Sequence, residues 1–324
     1  MVSCIIIDYN SYERTMQFVR DAYERLVCSG DINIVVVDNS VDDGNFEMLK
    51  EIFEKSGMFQ ISGKGRAGIE RSVSDEAHMK GERGGLLLLK SAENGGYAKG
   101  NNIGARAAME VFGDEYMLFS NNDIIFEGDF SLEDLVNPMR EDESIAVTGP
   151  RITGIDGLRQ SPHRKLGVWK MYIFPYLFWP AMTVVNRIVG VDNIFTDKDI
   201  RDKSGYVYRV MGSFMAVKSR AFLEAGMFDE KTFLYGEEMI LSERLAKKGY
   251  RTYYVDECSI VHEHGASTEK SFKYIKTQKI KLDSSLYYHK EYMGASALEI
   301  ALARIGFTMY EKIYFPLKNM VGRG

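Results

Sequence analysis

Apolar residues follow two alternating rhythms through the first third of the chain. Val2–Ile7 and Ile32–Val37 are short, nearly unbroken β-branched runs, and Leu86–Lys90 and Tyr116–Ser120 are two further runs, apolar but not β-branched. Runs of this length without polar alternation predict strands buried on both faces. Between them the spacing turns helical. Met16, Val19, Tyr23 and Leu26 recur at intervals of three and four, a second helix extends to about Lys55, and Asn101–Phe112 forms a third. Asn10 with Glu13 three residues on predicts a capping box at the start of the first helix. Strands alternating with helices predict an α/β chain: a parallel sheet with helices on both faces. Further on, Tyr208–Val217 and Arg251–Val255 read as strands and Gly236–Lys248 as a helix.

Two stretches break this rhythm. Gly57–Gly85 is rich in glycine and charge without clear periodicity, and reads as an exposed or mobile insertion. Arg159–Tyr206 contains VWKMYIFPYLFWPAMTVVNRIVG, in which Met171–Val185 is uncharged but holds Pro175 and Pro180. That run is too short and too broken to span a bilayer. The tail from Thr268 interleaves Lys270, Lys273, Lys276, Lys279 and Lys281 with Phe272, Tyr274 and Ile275, then Leu286, Tyr287 and Tyr288. Basic-aromatic segments suit a lipid surface, so peripheral membrane contact is expected through residues 168–191 and 268–324. A lid over an acceptor site, an oligomer contact or a solvated lysine face are the alternatives.

Composition narrows the class. With 324 residues, 45% hydrophobic and 27% charged, the chain is neither disordered nor fibrous. Its 46 acidic against 41 basic residues give a net charge of −5, so no global basic field points to nucleic acid. Cys4, Cys28 and Cys258 form no CxxC pair, which argues against a zinc module or disulfide scaffold and suits a reducing compartment. The opening MVSCIIIDYN is too short and too soon acidic for a signal peptide, and no long apolar run follows. A cytoplasmic protein is expected, peripheral on the inner face of the cell membrane.

The polar residues that can carry chemistry crowd at the strand ends: Asp8, Asp38, Asn94 and Asn121–Asp123. In α/β sheets ligands bind beyond the carboxyl ends of the strands. Asp38 at a strand end can accept a hydrogen bond from N3–H of uracil or thymine. The glycine-rich run Asn94–Asn102 can bring backbone N–H groups to an anion. Both also fit an ordinary turn and helix entry. Neither a Walker loop nor a dinucleotide fingerprint is present. Asp123 in Ser120-Asn-Asn-Asp-Ile124 can hold Mg²⁺ or Mn²⁺ against a diphosphate, or close a simple turn. Glu237 and Glu238 open a helix, either as dipole partners or with one of them a general base. His262 and His264 share one side of an extended segment and can ligate a metal or meet a phosphate.

The ordered segments VSCIIIDYN, IVVVDNS, ENGGYAKGNNIGARAA, YMLFSNNDIIF, VTGPRI, VMGSFMAVKSRAFLEAGMFDEKTFLYGEE, KKGYRTYYV and IVHEHGAS resemble the family 2 glycosyltransferases over roughly residues 2–268. Within that family they are most similar to the bacterial rhamnosyltransferase-like branch. The resemblance implies a GT-A fold, a Rossmann-like, mostly parallel sheet flanked by helices, with an aromatic insertion and a helical C-terminal tail. It implies a domain over 1–267, its nucleotide-binding half about 1–125 and its acceptor half about 126–267, with insertions near 57–85 and 159–206. A basic, aromatic extension would occupy 268–324.

Tyr9, Asn10, Asp38, Asn94, Gly96, Asn101 and Asn122 match the nucleotide side, Asp38 as reader of the pyrimidine. Asp123 and His262 match the metal side. Glu238 matches the catalytic base, with Glu237 beside it. The implied reaction is inverting transfer of one sugar, rhamnose the best candidate, from a dTDP- or UDP-sugar to a glycan hydroxyl. The acceptor would be lipid-linked, as in capsule or O-antigen assembly, and the cofactor a divalent cation, Mg²⁺ or Mn²⁺.

The sequence also departs from the family pattern. Its metal motif reads Asn-Asn-Asp, Asp8 stands where threonine is usual, Glu replaces Asp at 238, and Ile240 replaces a second acid. The QxxRW signature of processive synthases is absent. Two other classes share such a sheet: a nucleotidyltransferase, which needs an early glycine-rich loop that does not follow Ile7, and a catalytically inactive nucleotide-sugar-binding module.

Overall fold

The computed structural model describes residues 1–26, 32–63, 73–81, 84–128, 130–179, 181, 197–199, 201–263 and 271–317. They fall into two compact units, one of residues 1–162 and 200–266, the other of residues 163–199 and 267–324.

The first unit is built on one mixed sheet. Strands β1 (Val2–Asp8), β2 (Ile32–Asp38), β5 (Gly84–Ser91) and β6 (Tyr116–Ser120) run parallel in the order β5-β2-β1-β6. The β-branched and leucine runs lie here because both faces of the sheet are covered. Val2, Cys4, Ile6, Ile34, Val36 and Leu88 pack on one face against α1 (Tyr12–Arg25) and α2 (Gly44–Lys55). Ile5, Val35, Val37, Leu87 and Leu89 pack on the other, against the alanine-rich α3 (Gly96–Val111). Both faces are apolar, so the strands show no alternation in sequence.

The sheet is not parallel throughout. β10 (Phe214–Lys218) joins β6 and β8 (Ile145–Gly154) antiparallel, and β11 (Arg251–His262) lies parallel to β8. β7 (Ile124–Phe126) and β9 (Gly205–Val207) both pair antiparallel with β11. The insertion expected to be irregular supplies two strands, β3 (Phe59–Gly63) and β4 (Val73–Gly81), the latter antiparallel to β5. Strand-like pattern is weak there because pairing to the preformed edge of β5, rather than an apolar run, holds the backbone. A second difference lies before α1. Ser11, not Asn10, is the N-cap residue, and Asn10 has φ +51°. Asp8 accepts from the Ser11 N–H and Oγ, which fixes the helix start one residue later than the capping box predicts.

In the second unit the aromatic segment Trp169–Leu177 is π-helical and packs against the helix Ala297–Met309. Tyr172, Ile173, Leu282, Leu286, Ala303 and Phe307 form its core. Gly306 permits the contact, since a Cβ there would lie 2.9 Å from the Leu177 backbone nitrogen. Trp169 Nε1 donates to Glu299 at 2.7 Å.

Candidate active site

Side chains alternate along a strand, and this alternation decides which strand-end residue reaches which side. Asp8, Asp38 and Lys90 are register partners across β1, β2 and β5, and they continue the row that faces α1 and α2. The three make a buried polar rung. Lys90 Nζ donates to Asp38 Oδ2 at 3.0 Å and to the carbonyls of Ser40 and Asp42. Asn45 of α2 donates to both carboxylates, 2.7 Å to Asp8 and 2.9 Å to Asp38. Thr15 and Ser11 complete the shell of Asp8. Aspartate at position 8, unusual for the motif, is thereby accounted for.

The residues one position on sit on the α3 side. There a cavity of about 450 Å³ opens at the carboxyl ends of the parallel strands, among Tyr9, Asn39, Asn94, Tyr97, Asn122 and Asp123. Asp38, expected to read a base, does not line it; Asn39 does. Asn39 is buried, and its Nδ2 donates to the Gly96 carbonyl at 3.0 Å. Its Oδ1 has no hydrogen-bond partner among the described residues. Gly96 is held at φ +78°, and a Cβ there would fall 2.1 Å from the Phe233 carbonyl oxygen. Only glycine fits this close approach. Asn94 Oδ1 accepts from the Gly96 N–H, and the Tyr97 N–H donates to Phe233.

Asn10 and Asn101 are not in the lining. The Asn10 N–H donates to Ser40 Oγ, and Asn101 bonds the Tyr97 carbonyl inside α3. Asn122 reaches the cavity, while its amide ties β6 to α1 through Ser11 and Thr15.

At the metal side, the β7–β11 pairing sets His262 against Ile124 and so beside Asp123. His262 Nε2 lies 3.2 Å from Asp123 Oδ1 and 3.4 Å from Asn121 Nδ2. Its Nδ1 lies 2.7 Å from Gln160 Oε1, which orients the ring with Nε2 toward Asp123. No group of three or more His, Cys, Asp or Glu residues converges among the described residues. One carboxylate and one imidazole nitrogen are a donor set that suits Mg²⁺ or, better, Mn²⁺, provided diphosphate oxygens and water fill the other positions. The site fits a cation carried in with a diphosphate. His264 lies outside the described residues.

Glu237 and Glu238 start the helix Glu237–Ala246 after the left-handed pair Tyr235 and Gly236. Neither lines the cavity. Of the lining residues, Tyr97 feels both charges, and its hydroxyl donates to the Gly212 carbonyl. A Cβ on Gly212 would sit 3.6 Å from that hydroxyl and 3.9 Å from Glu238 Cδ. Burial, then the charges of Glu237 and Glu238, hold the Tyr97 phenol well above its ordinary range, so it remains a proton donor. Glu238 Oε1 is 3.0 Å from buried Arg209. Glu237 is buried, its Oε1 without a partner among the described residues, and burial followed by the Glu238 charge pushes its carboxyl up to about 8. The same sequence motif thus yields one half-buried, cation-paired carboxylate and one buried acid.

Asn39, Tyr97 and Arg209 are not among the residues that the sequence motifs single out. Asn39 was legible in principle, since period-2 alternation puts it opposite Asp38; Arg209 carries no local signal.

Solved structures share this architecture. The mannosyltransferase PcManGT of Pyrobaculum calidifontis, in complex with GDP-Man and Mn²⁺, matches with a TM-score of 0.54 at 12% identity, over 96% of this chain and 75% of that one. GalNAc-T7 with UDP, GalNAc and Mn²⁺ matches with 0.54 at 13%, over 99% and 58%. The fold is that of the GT-A glycosyltransferases. The family model of glycosyl transferase family 2 matches residues 3–199, and the chain belongs to that family.

Similar proteins include N-acetylglucosaminyl-diphospho-decaprenol L-rhamnosyltransferase of Mycobacterium tuberculosis, 27% identical over 56% of this chain and 60% of that protein. Rhamnosyltransferase WbbL of Escherichia coli K12 is 27% identical over 52% and 60%. O-antigen chain rhamnosyltransferase WbaN of Salmonella anatum is 25% identical over 49% and 44%. The chain spans 60% or less of the length of these relatives.

Proposed function

We propose that the protein transfers a single sugar, with inversion, from a nucleotide-sugar to a hydroxyl of a glycan acceptor in surface-polysaccharide synthesis. The observation that carries this is the strand-end cavity, with Asn39 and the Asn94–Tyr97 turn at one side and Asp123 beside His262 at the other. A uracil or thymine base has N3–H as donor, and Asn39 Oδ1, without a hydrogen-bond partner among the described residues, is an acceptor matched to it. Asn39, rather than Asp38, is assigned to the base, because both Asp38 oxygens are taken up by Lys90, Asn45 and Ser40. The named relatives favour rhamnose as the sugar, and so a dTDP- or UDP-linked donor.

Asp123 and His262 would hold the divalent cation, which when bound neutralises charge on the leaving diphosphate. Glu238 takes the proton of the attacking acceptor hydroxyl onto its carboxylate, held in orientation by Arg209 at 3.0 Å. Glu237, buried and protonated below about pH 8, adds no second negative charge beside it.

The test is Glu238→Gln. Transfer should fall by ~10²–10⁴-fold, the size of a general-base contribution, while nucleotide affinity measured by calorimetry stays within about twofold. Full turnover in a variant that still binds nucleotide would remove Glu238 from the role.

A further inference from the structure

The unit formed by residues 163–199 and 267–324 carries a charge opposite to the rest of the chain. It has 15 Lys and Arg against 8 Asp and Glu, net +7, which leaves 26 against 38, net −12, for the other unit. Such asymmetry between parts of one chain marks a surface for an anionic partner.

The same unit exposes apolar side chains in a pattern. Its last helix buries Ala303, Phe307 and Tyr310 but leaves Leu298 68% and Ile305 51% exposed, two turns apart, with Ala301 and Thr308 exposed between or beyond them. The π-helical turn Tyr310–Tyr314 takes up an extra residue, and the stripe continues through Ile313 (48%) and Leu317 (52%). Trp169, Phe174 and Phe178 are exposed on the segment packed against this helix. Exposed Lys170, Lys276, Lys279, Arg304 and Lys312 belong to the same unit. No helix among the described residues is long and apolar enough to cross a membrane.

We propose that this unit docks on the surface of an anionic lipid bilayer. The aliphatic stripe and the aromatic rings enter the boundary between headgroups and acyl chains, and the lysines and arginines face lipid phosphates. Charge chooses this occupant over a second copy of the chain. Two units of net charge +7 brought together repel, whereas an anionic surface attracts each. Exposed aromatics flanked by basic residues are also what the interface between water and lipid favours. Docking needs no sugar transfer, so it stands or falls apart from the proposed activity.

The test is co-flotation of the full chain with vesicles of phosphatidylglycerol and phosphatidylcholine, against vesicles of phosphatidylcholine alone. The protein should float with the anionic vesicles and be released by high salt. Leu298→Glu with Ile305→Glu should lower partitioning at least ~tenfold through lost apolar burial. Lys276→Glu with Lys279→Glu should do so by a similar factor through lost attraction to the lipid phosphates. These positions are exposed, so unchanged circular dichroism and unchanged nucleotide binding serve as controls for folding. Three outcomes overturn the proposal: no flotation, flotation that either double variant leaves intact, or a dimer in light scattering that Leu298→Glu with Ile305→Glu dissolves in the absence of vesicle binding.

Discussion

Glu237 and Glu238 are adjacent and chemically identical, yet the fold gives them different work. Glu238 faces Arg209, while Glu237 is turned inward without a partner for Oε1 among the described residues. Burial pushes Glu237 from an ordinary 4.5 to about 8. Between those values the folded chain keeps a proton that the unfolded chain has released. Glu237 therefore makes stability fall as pH rises from about 4.5 to about 8, with no further change above that. Glu237→Gln removes this dependence. In urea unfolding the variant should gain on the wild type steadily over that window, and two parallel curves would show that Glu237 ionises normally. At the same scale, Asn39→Ala should weaken binding of the free nucleoside diphosphate by ~10-fold, the effect of one or two lost hydrogen bonds, without changing dependence on Mn²⁺. Calorimetry with and without the ion separates the two.

At the scale of elements, the polar rung and the glycine turn do different jobs at the same strand ends. Lys90→Met leaves the carboxylates of Asp38 and Asp8 without the cation that lies 3.0 Å from Asp38. Breaking a buried pair by removing one partner costs about 3–5 kcal/mol, and chemical denaturation should show a loss of that size. Gly96→Ala acts on the opening of α3, where the added Cβ would meet the Phe233 carbonyl at 2.1 Å. The α3 entry or the Phe233 loop must shift, so nucleotide affinity should drop ~10-fold or more while the sheet core stays folded. Much of this was legible from sequence. The glycine run and the Asp, Asn and Lys residues at strand ends are local features. Which face each one serves was not, because Asp38 and Asn39 differ by one position in the alternation, and the α2 and α3 partners that complete each face lie elsewhere in the chain.

At the scale of the molecule, the two-unit division gathers what the sequence separates. The aromatic insertion and the tail lie roughly a hundred residues apart, and packing of Trp169–Leu177 on Ala297–Met309 joins them in one core. Ligand binding to the first unit is measurable on the whole chain. A nucleotide that binds only the folded state adds about 2.7 kcal/mol at a hundredfold excess over Kd. UDP or dTDP with Mn²⁺ should raise Tm more than the nucleotide or the ion alone, and Asp123→Ala should abolish the extra rise from the ion. Equal shifts in wild type and variant would place the cation elsewhere.

The sequence by itself determined the strands β1, β2, β5 and β6, the helices between them, the family, and the crowding of polar residues at the strand ends. All of these rest on short-range periodicity and on motifs whose members are near neighbours in the chain. Only the tertiary structure decided that Asn39 rather than Asp38 lines the cavity, that Arg209 meets Glu238, that Glu237 is buried, and that β3 and β4 extend the sheet. Each of those depends on register, on the side of the sheet a residue faces, or on a partner brought from far along the chain. Burial and electrostatics act on such distances in space, and a one-residue step along a strand reverses them.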